Sequence, residues 1–481
     1  MSDMFSPTHG DRACDGKNSY TVVVIGGGFS GAVSVIHLLR QLPSGHSLAI
    51  VEKGDSLGHG VAYGTQCKNH LLNARAGTMS AMFTDPNHFH EYLQTHWNSE
   101  ASASDFAPRY IYGEYCEDVL LQTVHEYPDR TFCRFQDEVL SITPENSHFR
   151  VILRNGPVLK AQFVILALGI NPPHRGSAFS VLPGSRYIPD AWKDTLTTIP
   201  NCGNVLLVGS ELTAIDQLIT LRKRGFSGKV WMVSHRGLLP AVHSSESGWP
   251  DQWVRNLPRS TRLLLSNVRA QICVANGNGS SWRVVVDSLR PHLQELWKSL
   301  PVAEQRRFLR HLRPYWEIHR HRVPPEVNHL VNEWITADRL VVIAGRVVSC
   351  QDLPDGVRVT YCARESGNHE TLIVDRIVNC TGPDVNISEN NNPLVRSMLR
   401  QGLCRLDPHR MGLDVAHGGQ LISKYGIASG ALFALGPILK GCLWETTAVP
   451  EIRTQAFAIA HQVLANLNSN TLKTDGISQA A

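Results

Sequence analysis

The chain has 481 residues, 18% of them charged, and a formal net charge of +4. That length exceeds one ordinary domain of roughly 150 residues and leaves room for about three units. The near balance of charge gives no argument for a nucleic-acid partner, and none is expected; no apolar run reaches the length that spans a membrane.

Residues 1–19 are polar and rich in Ser, Asp and Gly, and read as a flexible tail. A β-branched run at 22–25 then meets Gly26-Gly27-Gly28-Phe29-Ser30-Gly31 and an apolar, helix-like stretch at 32–39. A strand feeding a tight glycine turn and a helix points free backbone N–H groups at a pyrophosphate, and glycine permits the close approach. The next strand, 48–51, ends in Glu52, 21 residues after Gly31. A dinucleotide-binding βαβ unit places an acid there to hold the adenosine ribose hydroxyls. Downstream, 149–153, a turn at Asn155-Gly156 and a run through Leu159 predict a hairpin, and 163–166 leads into Ala167-Leu168-Gly169.

Pro172-Pro173 and Pro200-Asn201 are candidate crossing points into a second unit. Its fingerprint, Gly209-Ser210-Glu211-Leu212-Thr213-Ala214, follows a strand at 205–208. Glu211 replaces the second glycine, and its charge opposes a pyrophosphate unless the carboxylate points outward. The following strand, 230–233, ends in Ser234-His235-Arg236-Gly237 and not in an acid. A cation there suits a 2′-phosphate, which favours NADPH over NADH.

An Arg- and His-rich helical segment at 291–334 holds Arg306, Arg307, Arg310, His311, Arg313, His319, Arg320, His321 and Arg322, with Tyr315 and Trp316 among them. It reads either as an anion pocket or as a solvated face, the latter for 306–310. His319 and His321 stand two apart and so face different sides of a helix, which disfavours a metal pair. The second half then repeats the first, with strands at 357–361, 372–374 and 377–378 leading into Asn379-Cys380-Thr381-Gly382. A last strand, 432–435, ends in Gly436-Pro437, and an amphipathic run at 448–467 closes the first unit.

The predicted fold class is therefore α/β, with two Rossmann-like dinucleotide-binding domains, one inserted in the other, each with a small β-meander. The expected boundaries are 20–172 with 382–466 for the first domain, 173–381 for the inserted one, and tails at 1–19 and 467–481. Eleven cysteines, at 14, 67, 116, 133, 202, 273, 350, 362, 380, 404 and 442, form no C-x-x-C and so neither a zinc site nor a dithiol centre. Their odd number, with no secretory h-region, predicts reduced thiols in the cytoplasm. No G-x-S-x-G elbow supports a serine hydrolase.

Several segments together resemble a bacterial family of FAD/NAD(P)-binding flavoproteins that includes HpyO-type urate hydroxylases and CreE-type aspartate N-hydroxylases. They are Gly58-His59-Gly60-Val61-Ala62-Tyr63-Gly64, His70-Leu71-Leu72-Asn73, Phe106-Ala107-Pro108-Arg109 with Tyr112-Gly113, 234–240, His319-Arg320-His321-Arg322 and 444–453. The resemblance spans about residues 20–465 and implies an FAD-dependent, NAD(P)H-consuming monooxygenase acting through a flavin C4a-hydroperoxide. It implies FAD contacts at Gly26, Gly28, Ser30, Gly31, Glu52, Gly169, Gly436 and Pro437, with His59, Tyr63 and Asn73 lining the flavin. The helix after Gly436-Pro437 would aim its N-terminus at the flavin pyrimidine. The hydride donor, NADPH or NADH, would meet Gly209, Ser210, Thr213, Arg236 and Gly382.

His321, Arg322, Trp444 and Glu445 are the candidate catalytic residues. The implied partners are dioxygen and a small anionic or zwitterionic substrate. Urate, hydroxylated at C5 to 5-hydroxyisourate and held by His321 or Arg322, comes first. The alternative is N-hydroxylation of a small amino acid such as aspartate, its carboxylate on Arg75 or Arg109. A NAD(P)H-dependent flavin reductase and a non-catalytic flavin-binding protein are the remaining readings.

Overall fold

A computed structural model describes residues 17–193, 196–246, 248–387 and 392–475. The chain divides into two compact units: residues up to 64, 74–170 and from 385 form the first, and 65–73 with 171–384 form the second.

The first unit opens with β1 (Ser19–Ile25), α1 (Phe29–Gln41) and β2 (Ser47–Glu52), followed by the short α2 (Gly60–Tyr63), α3 (His88–His96) and α4 (Arg109–Glu126). Then come β3 (Thr131–Gln136), β4 (Val139–Glu145), β5 (His148–Leu153) and β6 (Val158–Leu166). From Tyr20 to Ile25, β1 is buried on both faces, which is why it reads as an unbroken β-branched run rather than an alternating one. It lies between β2 and β6 in parallel register, Val22 opposite Leu48 and Phe163. β4, β5 and β6 form the antiparallel meander, its last turn held by Asp137, whose carboxylate accepts from Asn155 N (2.9 Å) and Gly156 N (2.6 Å).

The second unit continues with β7 (Tyr187–Ile188), β8 (Val205–Val208), α5 (Leu212–Lys223) and β9 (Val230–Ser234). Five helices follow: α6 (Thr261–Gly277), α7 (Trp282–Leu289), α8 (Leu293–Ser299), α9 (Val302–His311) and α10 (Arg313–Arg320). The helical insertion thus begins some thirty residues before the expected start at 291. α11 (Pro325–Thr336) is the crossover to the sheet, burying Val327, Val331 and Trp334 at helical spacing in the core with Leu340. β10 (Leu340–Leu353) pairs parallel with β9 through its first residues and antiparallel with β11 (Gly356–Ala363) through the rest. β12 (His369–Val374) completes this meander, and β13 (Arg376–Asn379) returns parallel beside β8. The sheet order is β12-β11-β10-β9-β8-β13-β7.

The chain re-enters the first unit through α12 (Pro393–Gln401), β14 (Gln420–Ile422), β15 (Ala428–Ala434), α13 (Lys440–Leu443) and α14 (Val449–Asp475). β15 adds parallel to β6, giving the main path β14-β15-β6-β1-β2-β3. The two halves are therefore Rossmann-like dinucleotide-binding folds, each with its meander, as expected.

Three expectations need correction. The tail predicted at 467–481 is helical through Asp475, because residues 451–475 contain neither Gly nor Pro and Gly476 is the first breaker. The tail predicted at 1–19 lies outside the described residues as far as 16, and Ser19 already belongs to β1. Residues 65–73, expected in the first domain, pack in the second: Cys67 and Leu71 join its core, and His70 Nε2 lies 2.8 Å from Asp216 O and 2.9 Å from Thr220 Oγ1 of α5. Among the described residues no helix is long and apolar enough to cross a membrane. Among the described residues nine cysteines are free thiols, whereas Cys133 is disulfide-bonded, against the expectation of reduced thiols throughout.

Candidate functional site

In the first unit the glycine turn is shaped by backbone contact. Gly26 has φ +102, and a Cβ there would overlap the Ala167 carbonyl; a Cβ on Gly31 would overlap the carbonyl of Gly26 itself. Gly28 is an extended N-cap of α1 without a side-chain cap, so the first-turn amides remain directed at a ligand. Its α-carbon faces that of Gly60, where an added Cβ would lie 3.3 Å away. Glu52 stands at the end of β2, its carboxylate accepting from Gly27 N (2.6 Å) and Gly54 N (2.8 Å). Bare backbone, open helix amides and an oriented carboxylate fit the pyrophosphate and ribose of FAD.

Around this turn, His59 Nε2 pairs with Glu117 Oε2 at 3.1 Å, and the ring has room because residue 113 is glycine. Tyr63 meets Tyr112 at 4.5 Å between centroids and Phe29 edge-on at 6.1 Å; burial pushes its phenol well above the usual range. Asn73 belongs to the second unit, where its carbonyl accepts from His243 Nε2 at 3.0 Å. Gly169, at φ +68, has open space where a Cβ would point.

Gly436, at φ +78, closes against Ser30, whose Oγ would lie 2.6 Å from an added Cβ. Pro437 opens a 3-10 turn, and the amphipathic run expected at 448–467 follows later as α14. Between them the chain makes the single turn of α13 and reverses at Trp444, in a positive-φ conformation. Two residues assigned no role from the sequence, Thr446 within the matching 444–453 segment and Gln455 beyond it, hold this reversal. Gln455 Oε1 accepts from Gly436 N at 2.9 Å, and Thr446 Oγ1 donates to Gly436 O at 3.0 Å. A glutamine on the buried side of an apolar helix was the available signal. Trp444 and Glu445 are both buried here, with the Lys440 ammonium 5.1 Å above the indole.

The second unit repeats the turn. Gly209 has φ +123, donates to Val233 O at 2.8 Å, and would overlap the Cys380 carbonyl if it carried a Cβ. Glu211 has φ −92 and ψ −164, against −66 and −170 at Gly28. Both are extended N-caps that any residue adopts, so the glutamate leaves the turn intact and changes its charge. Its side chain is exposed. Ser210 Oγ donates to Leu238 O (2.6 Å) and lies 2.7 Å from Ser234 Oγ, which ties the turn to the end of β9. Thr213 lies in the first turn of α5, and Gly382, at φ +77, has open space on its Cβ side. The guanidinium of Arg236 sits 5.0 Å over the Tyr315 ring, and its buried Nε has no hydrogen-bond partner.

His321 and Arg322, expected to receive a substrate anion, are matched with carboxylates of the chain itself. His321 Nδ1 is 2.7 Å from Glu317 Oε2, and Arg322 donates to Asp287. Burial lowers the Arg322 guanidinium from its usual value, and Asp287 opposes that fall. Arg75 lies 5.7 Å over the Phe106 ring. Among the described residues no group of three or more His, Cys, Asp or Glu could hold a metal ion.

Residues 23–171 match a family described as FAD-NAD(P)-binding. No curated protein matches the chain in sequence. The reduced ornithine hydroxylase of Pseudomonas aeruginosa superposes with a TM-score of 0.65 at 16% identity, over 93% of this chain and 100% of that one. The ornithine N-hydroxylase of Kutzneria sp. 744, a structure with reduced FAD, NADP+ and L-ornithine, gives 0.63 at 14%, over 92% and 99%. The bacillithiol disulfide reductase of Staphylococcus aureus gives 0.55 at 13%, over 93% and 99%. The fold is thus that of flavoproteins with two dinucleotide-binding domains, and the resemblance to FAD/NAD(P)-binding proteins holds for the first domain and for the architecture.

Proposed function

We propose that the chain is an FAD-dependent, NADPH-consuming monooxygenase that hydroxylates the amino nitrogen of a small amino acid. The observation that carries this is the duplicated carbonyl-locked turn, Gly26 on Ala167 and Gly209 on Cys380, in a fold closer to ornithine N-hydroxylases than to disulfide reductases at equal coverage. The lack of a C-x-x-C pair also disfavours a dithiol reductase. Urate, first from the sequence, moves behind the amino acid because the two residues assigned to its anion, His321 and Arg322, are matched with Glu317 and Asp287.

Bound FAD supplies the redox and oxygen chemistry. The chain contributes the cradle. Gly26, Gly28 and Gly31 admit the pyrophosphate, the α1 amides meet its charge, and Glu52 faces the ribose. Ser30 and Gly436 close the turn, and Gly169 leaves backbone open to the cofactor. Trp444 and Glu445, fixed through Thr446 and Gln455, wall the reacting end and exclude water. Gly209, Ser210 and Thr213 hold the donor, Gly382 leaves room beside it, and Arg236 takes its 2′-phosphate. Arg75 or Arg109 receives the substrate carboxylate.

Oxygen uptake by the FAD-loaded protein with NADPH and catalase, given aspartate, ornithine, lysine and urate in turn, tests the assignment. A hydroxylamine formed one for one with NADPH supports it. Urate loss instead would establish the purine reading, and NADPH oxidation yielding peroxide with every compound would refute a monooxygenase.

A further inference from the structure

We infer that the β-meander of the second unit supplies a second guanidinium, Arg364, to the 2′-phosphate of NADPH, and that His235 positions it. This rests on the donor assignment made above, and it concerns residues of the second unit alone.

The end of β9 is where a dinucleotide fold meets the adenosine ribose. Here Ser234 is in register with Ala344 of β10. β10 then runs on into the meander, and β11 brings the chain back so that Arg364 N donates to Ala344 O at 2.9 Å. The backbone of Arg364 is therefore pinned to the residue paired with Ser234. Its side chain turns to the same strand end: Nη1 lies 3.1 Å from His235 Nδ1. A guanidinium can only donate, so Nδ1 accepts and the imidazole carries its proton on Nε2. Arg236, two residues past Ser234, is stacked on Tyr315 with an unpartnered, buried Nε.

Neither Arg236 nor Arg364 forms an ion pair among the described residues. Some other arginines of the unit do, among them Arg186 with Asp352, Arg222 with Glu333 and Arg322 with Asp287. Two arginines without an ion pair thus belong to a strand end that lacks the acid of an NADH site, Arg236 by sequence and Arg364 through His235. A phosphate dianion offers enough oxygens for both, and planar guanidinium donors match its geometry. The turn at Arg236-Gly237 is tight. Gly237, at φ +61, donates to Ser234 Oγ at 3.0 Å, and a Cβ there would press on Ala344. The meander, a sheet extension by topology, so becomes the element that selects the phosphorylated donor.

Calorimetric titration of the FAD-loaded full chain with adenosine 2′,5′-bisphosphate and with 5′-AMP tests this without turnover, dioxygen or amino acid. Failure of the N-hydroxylase assignment therefore leaves the result readable. The parent should bind the bisphosphate at least about tenfold more tightly than 5′-AMP. Arg364→Ala should lose about tenfold for the bisphosphate and less than about twofold for 5′-AMP. Arg364→Lys should recover part of the loss. His235→Ala should lower the ratio of the two affinities, and His235→Asn, whose Oδ1 replaces Nδ1 as acceptor, should restore it. The inference is overturned if the parent does not distinguish the two ligands, if Arg364→Ala binds the bisphosphate like the parent, or if it loses both ligands equally.

Discussion

His37 makes the packing of the nucleotide helix measurable. It lies on α1, 3% exposed, with its ring edge-on to Phe457 of α14 at 5.6 Å and Nε2 without a hydrogen-bond partner. Burial, with the positive charge of Arg40, lowers the imidazole from 6.5 to about 4; a hydrogen bond to Ala81 partly opposes the fall, and Arg453 adds to it. The folded value lies below the unfolded one, so the unfolded chain binds the extra proton. Stability is complete above about pH 6.5 and declines as pH falls towards 4. A gap of about 2.5 pH units corresponds to about 3 kcal/mol in all, of which about 2 kcal/mol is lost between pH 7.5 and 5. Urea unfolding of the FAD-loaded protein, followed by flavin fluorescence at those two pH values, should show the parent losing about 2 kcal/mol more than His37→Asn. The linkage to FAD is common to both proteins and cancels. Equal losses in parent and variant would refute a buried neutral His37.

Glu211→Gly keeps the extended N-cap of α5 and removes an exposed carboxylate from the turn that meets the donor pyrophosphate. Its removal is worth about 1 kcal/mol, so anaerobic flavin reduction should half-saturate at roughly fivefold less NADPH; unchanged half-saturation would mean the carboxylate points away from the donor. Asp287→Ala leaves Arg322, 5% exposed, without its carboxylate. Because Asp287 is itself about half exposed, the expected cost is about 2 kcal/mol, below the range for fully buried pairs, and a thermal midpoint equal to the parent's would return Arg322 to the ligand-binding candidates.

Chain-neighbour relations were legible in the residues themselves. A strand ending at Gly26, a helix leaving Gly31 and an acid at Glu52 depend on sterics and hydrogen bonds within one βαβ unit, and the Asn155-Gly156 turn depends on four residues. The repeat of that plan at Gly209 and β13 was visible for the same reason. The reach of α14 to Asp475 was also written in the absence of breakers, but polar composition resembles a tail when no partner surface is in view.

What the tertiary structure decided were the partners of side chains and the paths between elements. That Arg322 meets Asp287 and that Asn73 belongs with His243 are facts about residues distant in the chain. So is the reversal at Trp444, held by Gln455, and so is Arg364 beside His235 across 129 positions. Backbone conformation follows from neighbours along the chain, whereas the ligand a charged side chain serves is settled by whichever opposite charge the fold brings within reach first.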